Sequence, residues 1–95
     1  MRIDKVIWQP EIEEKLYQKH KVMVEEVEEV LFDNKPRVRF VEKGHRKGED
    51  LYAAFGQSAS GKQLIVFFVL KAGGEALVIS ARAMERKERR LYARK

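Results

Sequence analysis

The spacing of apolar residues divides the first third of the chain into a strand and two helices. Residues 3–8 carry Ile, Val, Ile and Trp, and Pro10 suits the first position of a helix, where a missing N–H costs nothing. Ile12 and Leu16 then form an i, i+4 apolar pair. Residues 23–32 combine a stripe of Val and Leu with a glutamate face. This pattern predicts the order strand, helix, helix.

Four strands are predicted next, over residues 37–41, 51–57, 64–70 and 75–82. Consecutive strands joined by short turns pair in the antiparallel direction. The unbroken apolar run of residues 64–70 predicts the hydrophobic centre of the sheet. A second apolar run at residues 76–79 predicts that the last strand is covered on both faces.

A charged helix is predicted to follow the last strand. From Ala83 onward nearly every residue is a good helix former, and only Met84 and Leu91, seven residues apart, supply a narrow apolar stripe. The predicted fold class is therefore α+β, a two-layer sandwich in the order β-α-α-β-β-β-β-α. A helical hairpin covers one face of a mainly antiparallel sheet, and a basic C-terminal helix completes it.

Composition narrows the class of protein. Ninety-five residues form one domain, residues 1–95, with one modest core. The chain has no Cys and two widely separated His residues, so a disulfide framework and a zinc site are not expected, and neither is any other cofactor. No apolar run spans a bilayer and no secretion signal begins the chain, which predicts a cytoplasmic protein without a membrane partner.

Charge is distributed unevenly along the chain. Residues 1–34 hold five Lys or Arg against nine Asp or Glu, whereas residues 82–95 hold seven basic residues against two acidic ones. A polarised charge of this kind favours a polyanionic partner, with nucleic acid as the first candidate. The alternative is an ordinary solvated surface.

Several short motifs along the chain resemble those of BrnT-type toxins of bacterial toxin–antitoxin systems, and they occur in the same order as in that family. Residues 79–83 (Ile-Ser-Ala-Arg-Ala) and 88–92 (Glu-Arg-Arg-Leu-Tyr) are similar to the C-terminal signature of that family. Lys19-His20, followed by Val22, resembles its Lys-His-Gly-Val motif. The resemblance implies a RelE-like fold, a metal-independent endoribonuclease, an RNA substrate, and inhibition by a cognate ribbon-helix-helix antitoxin of the BrnA type. A heterotetramer with that antitoxin is a further expectation.

The same resemblance selects site residues and shows departures. It implies roles for Lys19, His20, Arg82, Glu88, Arg89 and Tyr92. The glycine after the Lys-His pair is Lys21 here, and two arginines of the family's middle and last strands are Leu51 and Leu77. These two losses leave open an alternative function, a non-catalytic relative that binds a partner protein or RNA.

RNA cleavage without a metal ion requires a base, an acid and cations that stabilise the phosphorane charge. A histidine side chain titrates near neutral pH, so His20 is a catalytic candidate, although it could also only cap its helix. Arg82 could hold a phosphate through two parallel hydrogen bonds, or could instead form an ion pair with the acidic helix at residues 24–31.

Glu88 is the third catalytic candidate. It could act as a base, or could belong to a set of helical i, i+4 pairs such as Glu85–Arg89. Tyr92 is expected at a partly buried edge. The predicted surface is basic and lacks an aromatic ladder, which argues against sequence-specific binding of single strands. The predicted RNA-binding residues are Lys19, Arg37, Arg39, Arg46, Lys47, Arg86, Arg89, Arg90 and Tyr92.

Overall fold

The chain alternates short helices with a sheet, and the computed structural model describes residues 2–33, 36–46 and 48–93. Its elements are strand β1 (Lys5–Ile7), helix α1 (Pro10–His20), helix α2 (Val24–Glu28), a π-helical turn (Glu29–Asp33), strands β2 (Arg37–Glu42), β3 (Leu51–Gln57), β4 (Gln63–Lys71) and β5 (Glu75–Ala83), and helix α3 (Arg86–Ala93). The predicted α+β class and element order are confirmed.

The five strands form one mixed sheet in the order β1-β5-β4-β3-β2. The four later strands pair antiparallel with their sequence neighbours, as their short connections require. Strand β1 is parallel to β5, with Val6 opposite Ala76. The Asp4 N–H donates to the Gly74 carbonyl at 2.8 Å, and Gly74 has a φ of 77°, so a glycine makes this turn without strain. The sequence did not predict this parallel edge pairing.

The main core lies between the sheet and the helices α1 and α2, on what we call the covered face. It contains the following buried residues: Leu16, Val22, Val27, Val30, Leu31, Ala54, Leu64, Val66, Phe68, Ala76, Val78 and Ala81. Phe68, Leu64 and Val66 come from the apolar run predicted to be the centre. That prediction is confirmed.

Helix α1 ends in a left-handed residue. Lys21 has a φ of 55°, its N–H donates to the Tyr17 carbonyl at 3.0 Å, and the Val22 N–H donates to the Leu16 carbonyl at 3.2 Å. Glycine is the preferred residue in this Schellman-type ending because it has no β-carbon. Lys21 therefore has a left-handed backbone that suits glycine, the residue that follows Lys-His in the family motif described above.

Two predictions for the C-terminal part are wrong. Strand β5 is not covered on both faces, because Ala76, Val78 and Ala81 are buried whereas Ile79 is 40% exposed. Ile79 is the extra residue of a β-bulge, since Phe67 faces Ser80 and Phe68 faces Val78. Helix α3 starts at Arg86 and not at Ala83, because β5 continues through Ala83 to pair with Leu64.

The apolar stripe predicted for the last helix is also divided. Met84 precedes α3 and is buried beside Ala53 and Ile65, while Leu91 is 48% exposed. Tyr92 of α3 packs against this small second cluster, as predicted for a partly buried edge residue. Helix α3 thus lies on the face opposite α1 and α2, and we call that side the open face.

Candidate nucleic-acid interface

The open face of the sheet carries arginines at both ends of one row of cross-strand neighbours. Arg37 on β2 lies opposite Phe55, Phe55 opposite Ile65, and Ile65 opposite Arg82 on β5. Directly opposite residues share a face, and neighbouring strands are about 4.8 Å apart, so the Cα atoms of the two arginines are roughly 14 Å apart. Arg39 begins the next row, in which it faces Ala53.

Arg82 and Glu88 form the most tightly organised polar contact on this face. The two guanidinium nitrogens Nη1 and Nη2 donate to the two carboxylate oxygens at 2.8 and 2.9 Å. Glu88 also accepts from the Glu85 N–H at 2.7 Å, which caps the first turn of α3. Arg82 further donates to the Ala83 carbonyl at 3.2 Å and lies 5.9 Å from the centre of the Phe67 ring. The strand end and the helix start therefore hold the pair in one geometry.

The charges of this pair stabilise each other. The hydrogen bond from Arg82 is the main cause that holds the pKa of the Glu88 carboxyl below its ordinary value, and the same bond raises the pKa of the Arg82 guanidinium. Both side chains stay in contact with solvent, at 31% and 24% exposure. Arg82 is thus in an ion pair that water and a ligand can reach.

The alternatives expected for these residues are resolved by this contact. Arg82 pairs with Glu88, not with the acidic helix at residues 24–31. Glu88 pairs with the strand and not with a neighbour on its own helix. The guanidinium of Arg89 donates to the Met84 carbonyl at 2.6 Å. The two predicted residues Arg82 and Glu88 are therefore brought together.

A groove of about 660 Å³ separates β2 from α3. It is lined by Arg37, Val38, Arg39, Phe55, Glu88, Leu91 and Tyr92. Arg37 Nη1 donates to the Leu91 carbonyl at 3.5 Å, at the outer limit of a hydrogen bond. Arg39 is exposed, and no described residue forms an ion pair with it. One wall of the groove thus offers two cations, and the other wall offers Glu88, whose ion-pair partner Arg82 lies next to the groove.

The remaining basic residues of α3 are not among those that line this groove. Arg86, Arg89 and Arg90 are exposed. Arg46, in the connection between β2 and β3, is exposed as well, and Lys47 lies outside the described residues. These side chains extend the basic surface without forming part of the groove wall.

Lys19 and His20 belong to a different surface. They end α1, whose buried Leu16 packs into the main core on the covered face. Both are exposed, and no hydrogen bond or ion pair between described side chains joins them to Arg82 or Glu88. Lys62, which directly precedes β4, donates to the Lys21 carbonyl at 2.8 Å. This end of α1 therefore reaches the same end of the sheet as Arg82, but from the other side.

The structure adds aromatic residues that the sequence analysis missed. Phe55 and Phe67 are both on the open face, in the rows of Arg82 and of Arg39, and both are only partly buried. The sequence analysis expected no aromatic ladder on the basic surface, and the structure places these two separate aromatic residues beside it. Alternation along β3, where Leu51, Ala53 and Phe55 share a face, was a usable signal. On β4 the apolar run is unbroken, so the sequence pattern did not show that Phe67 lies on the open face.

The departures Leu51 and Leu77 lie together. Leu51 faces Val69, and Val69 faces Leu77, which makes a third, apolar row on the open face.

Among the described residues, no helix has the length and apolar character needed to cross a membrane. In the same part of the chain, no group of three or more His, Asp or Glu side chains is placed to hold a metal ion.

Comparison with known proteins gives one result. A family model described as the ribonuclease toxin BrnT of type II toxin–antitoxin systems matches residues 8–88. The match begins directly after β1 and extends through α1 and all later elements to Glu88 in α3. No curated protein matches the chain at a significant level.

Proposed function

Because the chain belongs to the BrnT family of ribonuclease toxins of type II toxin–antitoxin systems, we propose that it is an endoribonuclease that cleaves RNA without a metal ion and is inhibited by a cognate antitoxin. The observation that carries this proposal is the bidentate Arg82–Glu88 pair, solvent-accessible at the edge of an arginine-lined groove. A cytoplasmic location, where RNA and ribosomes are present, is part of the proposal.

Arg82 is proposed to bind the phosphate that is cleaved. In the reaction, the 2′-oxygen of one nucleotide bonds to the adjacent phosphorus while the bond from phosphorus to the 5′-oxygen breaks, which leaves a 2′,3′-cyclic phosphate and a 5′-hydroxyl. A guanidinium fork matches two phosphate oxygens as well as it matches a carboxylate. It would therefore stabilise the negative charge that develops on the phosphorane.

Glu88 is proposed as the base. Its carboxylate is ionised at neutral pH, as an ordinary glutamate is, and the bond from Arg82 lowers its pKa further. When Arg82 moves to the phosphate, that bond weakens and the carboxylate becomes more basic, so that it can take the proton of the 2′-hydroxyl. The leaving 5′-oxygen takes its proton from water, because the groove is open. Movement of the Arg82 guanidinium from Glu88 to the phosphate would thus make RNA binding activate the base.

The role of His20 stays a separate prediction. Its position on the end of α1, across the sheet from Arg82, favours a contact between Lys19, His20 and a more distant part of the RNA. We therefore assign the reacting phosphate to Arg82 and Glu88, and test His20 independently.

A second candidate function is supported by the third row of the open face. Leu51 and Leu77 stand where the family carries arginines, and Val69 lies between them, so the row is apolar. An apolar row suits a non-catalytic relative that binds a partner protein or RNA. The antitoxin expected of a type II system would be its first partner. A ribbon-helix-helix antitoxin and a heterotetramer with it remain proposals that co-purification with the neighbouring gene product would test.

The experiment is cleavage of a defined RNA by the purified protein in excess EDTA. Wild-type protein should produce fragments that end in a cyclic phosphate. Arg82→Ala should lower the rate by about 10²–10³-fold, the usual cost of losing one preorganised donor to a developing oxyanion. Arg2→Ala is the matched control, because it removes the same charge at an exposed N-terminal position. Arg2→Ala should cleave like wild type.

Two further variants assign the roles. Glu88→Gln keeps the shape but removes the base, and should slow cleavage while leaving RNA binding intact. His20→Ala reports on the end of α1 alone. Wild-type protein that yields no more product than Arg82→Ala would refute the nuclease and favour the binding function.

A further inference from the structure

We propose that the groove on the open face seats an unpaired nucleotide of single-stranded RNA, whose base stacks on Phe55 while Arg37 and Arg39 contact its phosphates. This inference rests on the proposed RNA substrate and specifies the form of RNA that is bound. It concerns binding and is independent of whether the protein cleaves.

Phe55 forms the floor of the groove. It lies directly opposite Arg37 in the sheet, and its ring lines the space between β2 and α3. The ring is held by the second cluster of Ala53, Ile65 and Met84, against which Phe55 packs. A fixed aromatic ring that still borders a groove can take a base on its face, and such stacking is tolerant of the base's identity.

The two cations beside this floor are available to phosphate. Arg39 has no ion-pair partner among the described residues, and Arg37 makes only a hydrogen bond of 3.5 Å to Leu91. The two residues are separated by one position on β2, so they project from the same face about 7 Å apart. In contrast, the charge of Arg82 is already balanced by Glu88. The β2 wall is therefore the side that attracts a free polyanion.

An unpaired strand fits this arrangement better than a duplex. In an A-form duplex the faces of the bases are stacked on one another, and the deep major groove does not admit side chains. A base can reach the Phe55 ring only when it is unstacked. An acidic protein segment would also satisfy the arginines, but it would not use the flat face of an aromatic ring in the same way.

The test measures binding of a short 2′-O-methyl oligoribonucleotide by fluorescence anisotropy. This probe cannot be cleaved, because the attacking hydroxyl is blocked, so a protein without nuclease activity still gives a result. Phe55→Leu keeps an apolar side chain and removes the aromatic face. It should weaken single-strand binding by about 5- to 150-fold, the range measured for one base–aromatic stack. Phe55→Trp should restore it.

The matched control is Phe40→Leu. Phe40 is 58% exposed and lies edge-on against Tyr52 on the covered face, so the same chemical change is made outside the groove. The Phe40→Leu variant should bind the oligoribonucleotide with the same affinity as the wild-type protein. Arg39→Ala should weaken binding and reduce the slope of log affinity against log salt by about 0.7, as expected for one phosphate contact to a single strand. Circular dichroism checks that each variant is folded.

The proposal is overturned by any of three results. The first is equal affinity of Phe55→Leu and Phe40→Leu for the single strand. The second is a duplex probe that binds as tightly as the single strand and depends on Phe55 to the same extent. A Phe55→Leu variant that binds RNA normally but no longer binds the antitoxin would also overturn it, and would assign the groove to a protein partner.

Discussion

Phe67 and Phe68 are consecutive residues of β4 that point to opposite faces of the sheet and meet different surroundings. Phe68 is fully buried and stacks on Tyr52 beneath the helices. Phe67 is only partly buried on the open face, where the Arg82 guanidinium lies 5.9 Å from its ring. Both faces are apolar along the central strands. What differs is the cover: two helices on one side, and the short α3 on the other.

This difference teaches which apolar residues stabilise the fold and which are left for a ligand. The core side chains of the covered face are almost completely buried, so they contribute to stability in proportion to the area they bury. The open face keeps a groove because α3 contacts the sheet mainly through Tyr92 and the Arg82–Glu88 pair. The main core and the proposed RNA site thus lie on opposite sides of the same strands.

The largest expected effect is the contrast between the two phenylalanines. Phe68→Ala should lower the free energy of unfolding by about 3–5 kcal/mol, because it leaves a cavity in the core. Phe67→Ala should cost about 1–2 kcal/mol, because its ring is only partly removed from water. Urea denaturation followed by circular dichroism measures both. Equal losses in the two variants would contradict the division between a covered and an open face.

A smaller effect is expected where the sheet and the π-helical turn approach each other. A β-carbon on Gly56 would lie 3.0 Å from Val30 Cγ1 and 3.5 Å from Pro36 Cβ. Gly56→Ala should therefore destabilise the protein by about 1–3 kcal/mol through overpacking. The same urea denaturation assay measures this loss. A Gly56→Ala variant as stable as wild type would show that the helices can move away from the sheet.

The smallest effect is the pH dependence of the Arg82–Glu88 pair. The pKa of the Glu88 carboxyl is lower in the folded protein than in the unfolded chain, so the pair stabilises the fold at pH values above the ordinary carboxyl pKa. That contribution is lost as the pH falls through the folded pKa. Because the pair is partly exposed, we expect at most about 1 kcal/mol at pH 7.

The measurement is the stability difference between wild type and Glu88→Gln at pH 7 and again well below the ordinary carboxyl pKa. Other carboxylates titrate in both proteins, so their contributions cancel in this difference. The gap should close in acid. A difference that stays constant over this range would mean that Glu88 stabilises α3 by capping alone.

The periodicity of the chain predicted the elements well. Pro10 marked the start of α1, the alternation in residues 37–41 predicted β2, and the apolar run at residues 64–70 predicted the central strand. These are local patterns, set by side-chain spacing within a few residues. The bulge at Ile79 was not visible in this way, because an extra residue within an apolar run does not interrupt it.

The candidate site was predicted only as a set of residues. Arg82 and Glu88 were each selected, but their contact was not, because six residues that cross from strand to helix follow neither the strand period nor the helix period. His20 was grouped with them by chemistry alone, and the structure places it on the end of α1 behind the sheet. Phe55 was overlooked because its partner Arg37 is 18 positions away in the chain.

The order of elements, the α+β class and the basic C-terminus are therefore written in the chain itself, because hydrophobic spacing and charge act over short distances. The pairing of β1 with β5, the face that each residue occupies, and the groove between β2 and α3 depend on the assembled sheet. Residues distant in the chain become neighbours only when strands pair, and that pairing is decided by burial of the whole apolar surface at once. For this reason the chemistry at Arg82 became interpretable only with the tertiary structure.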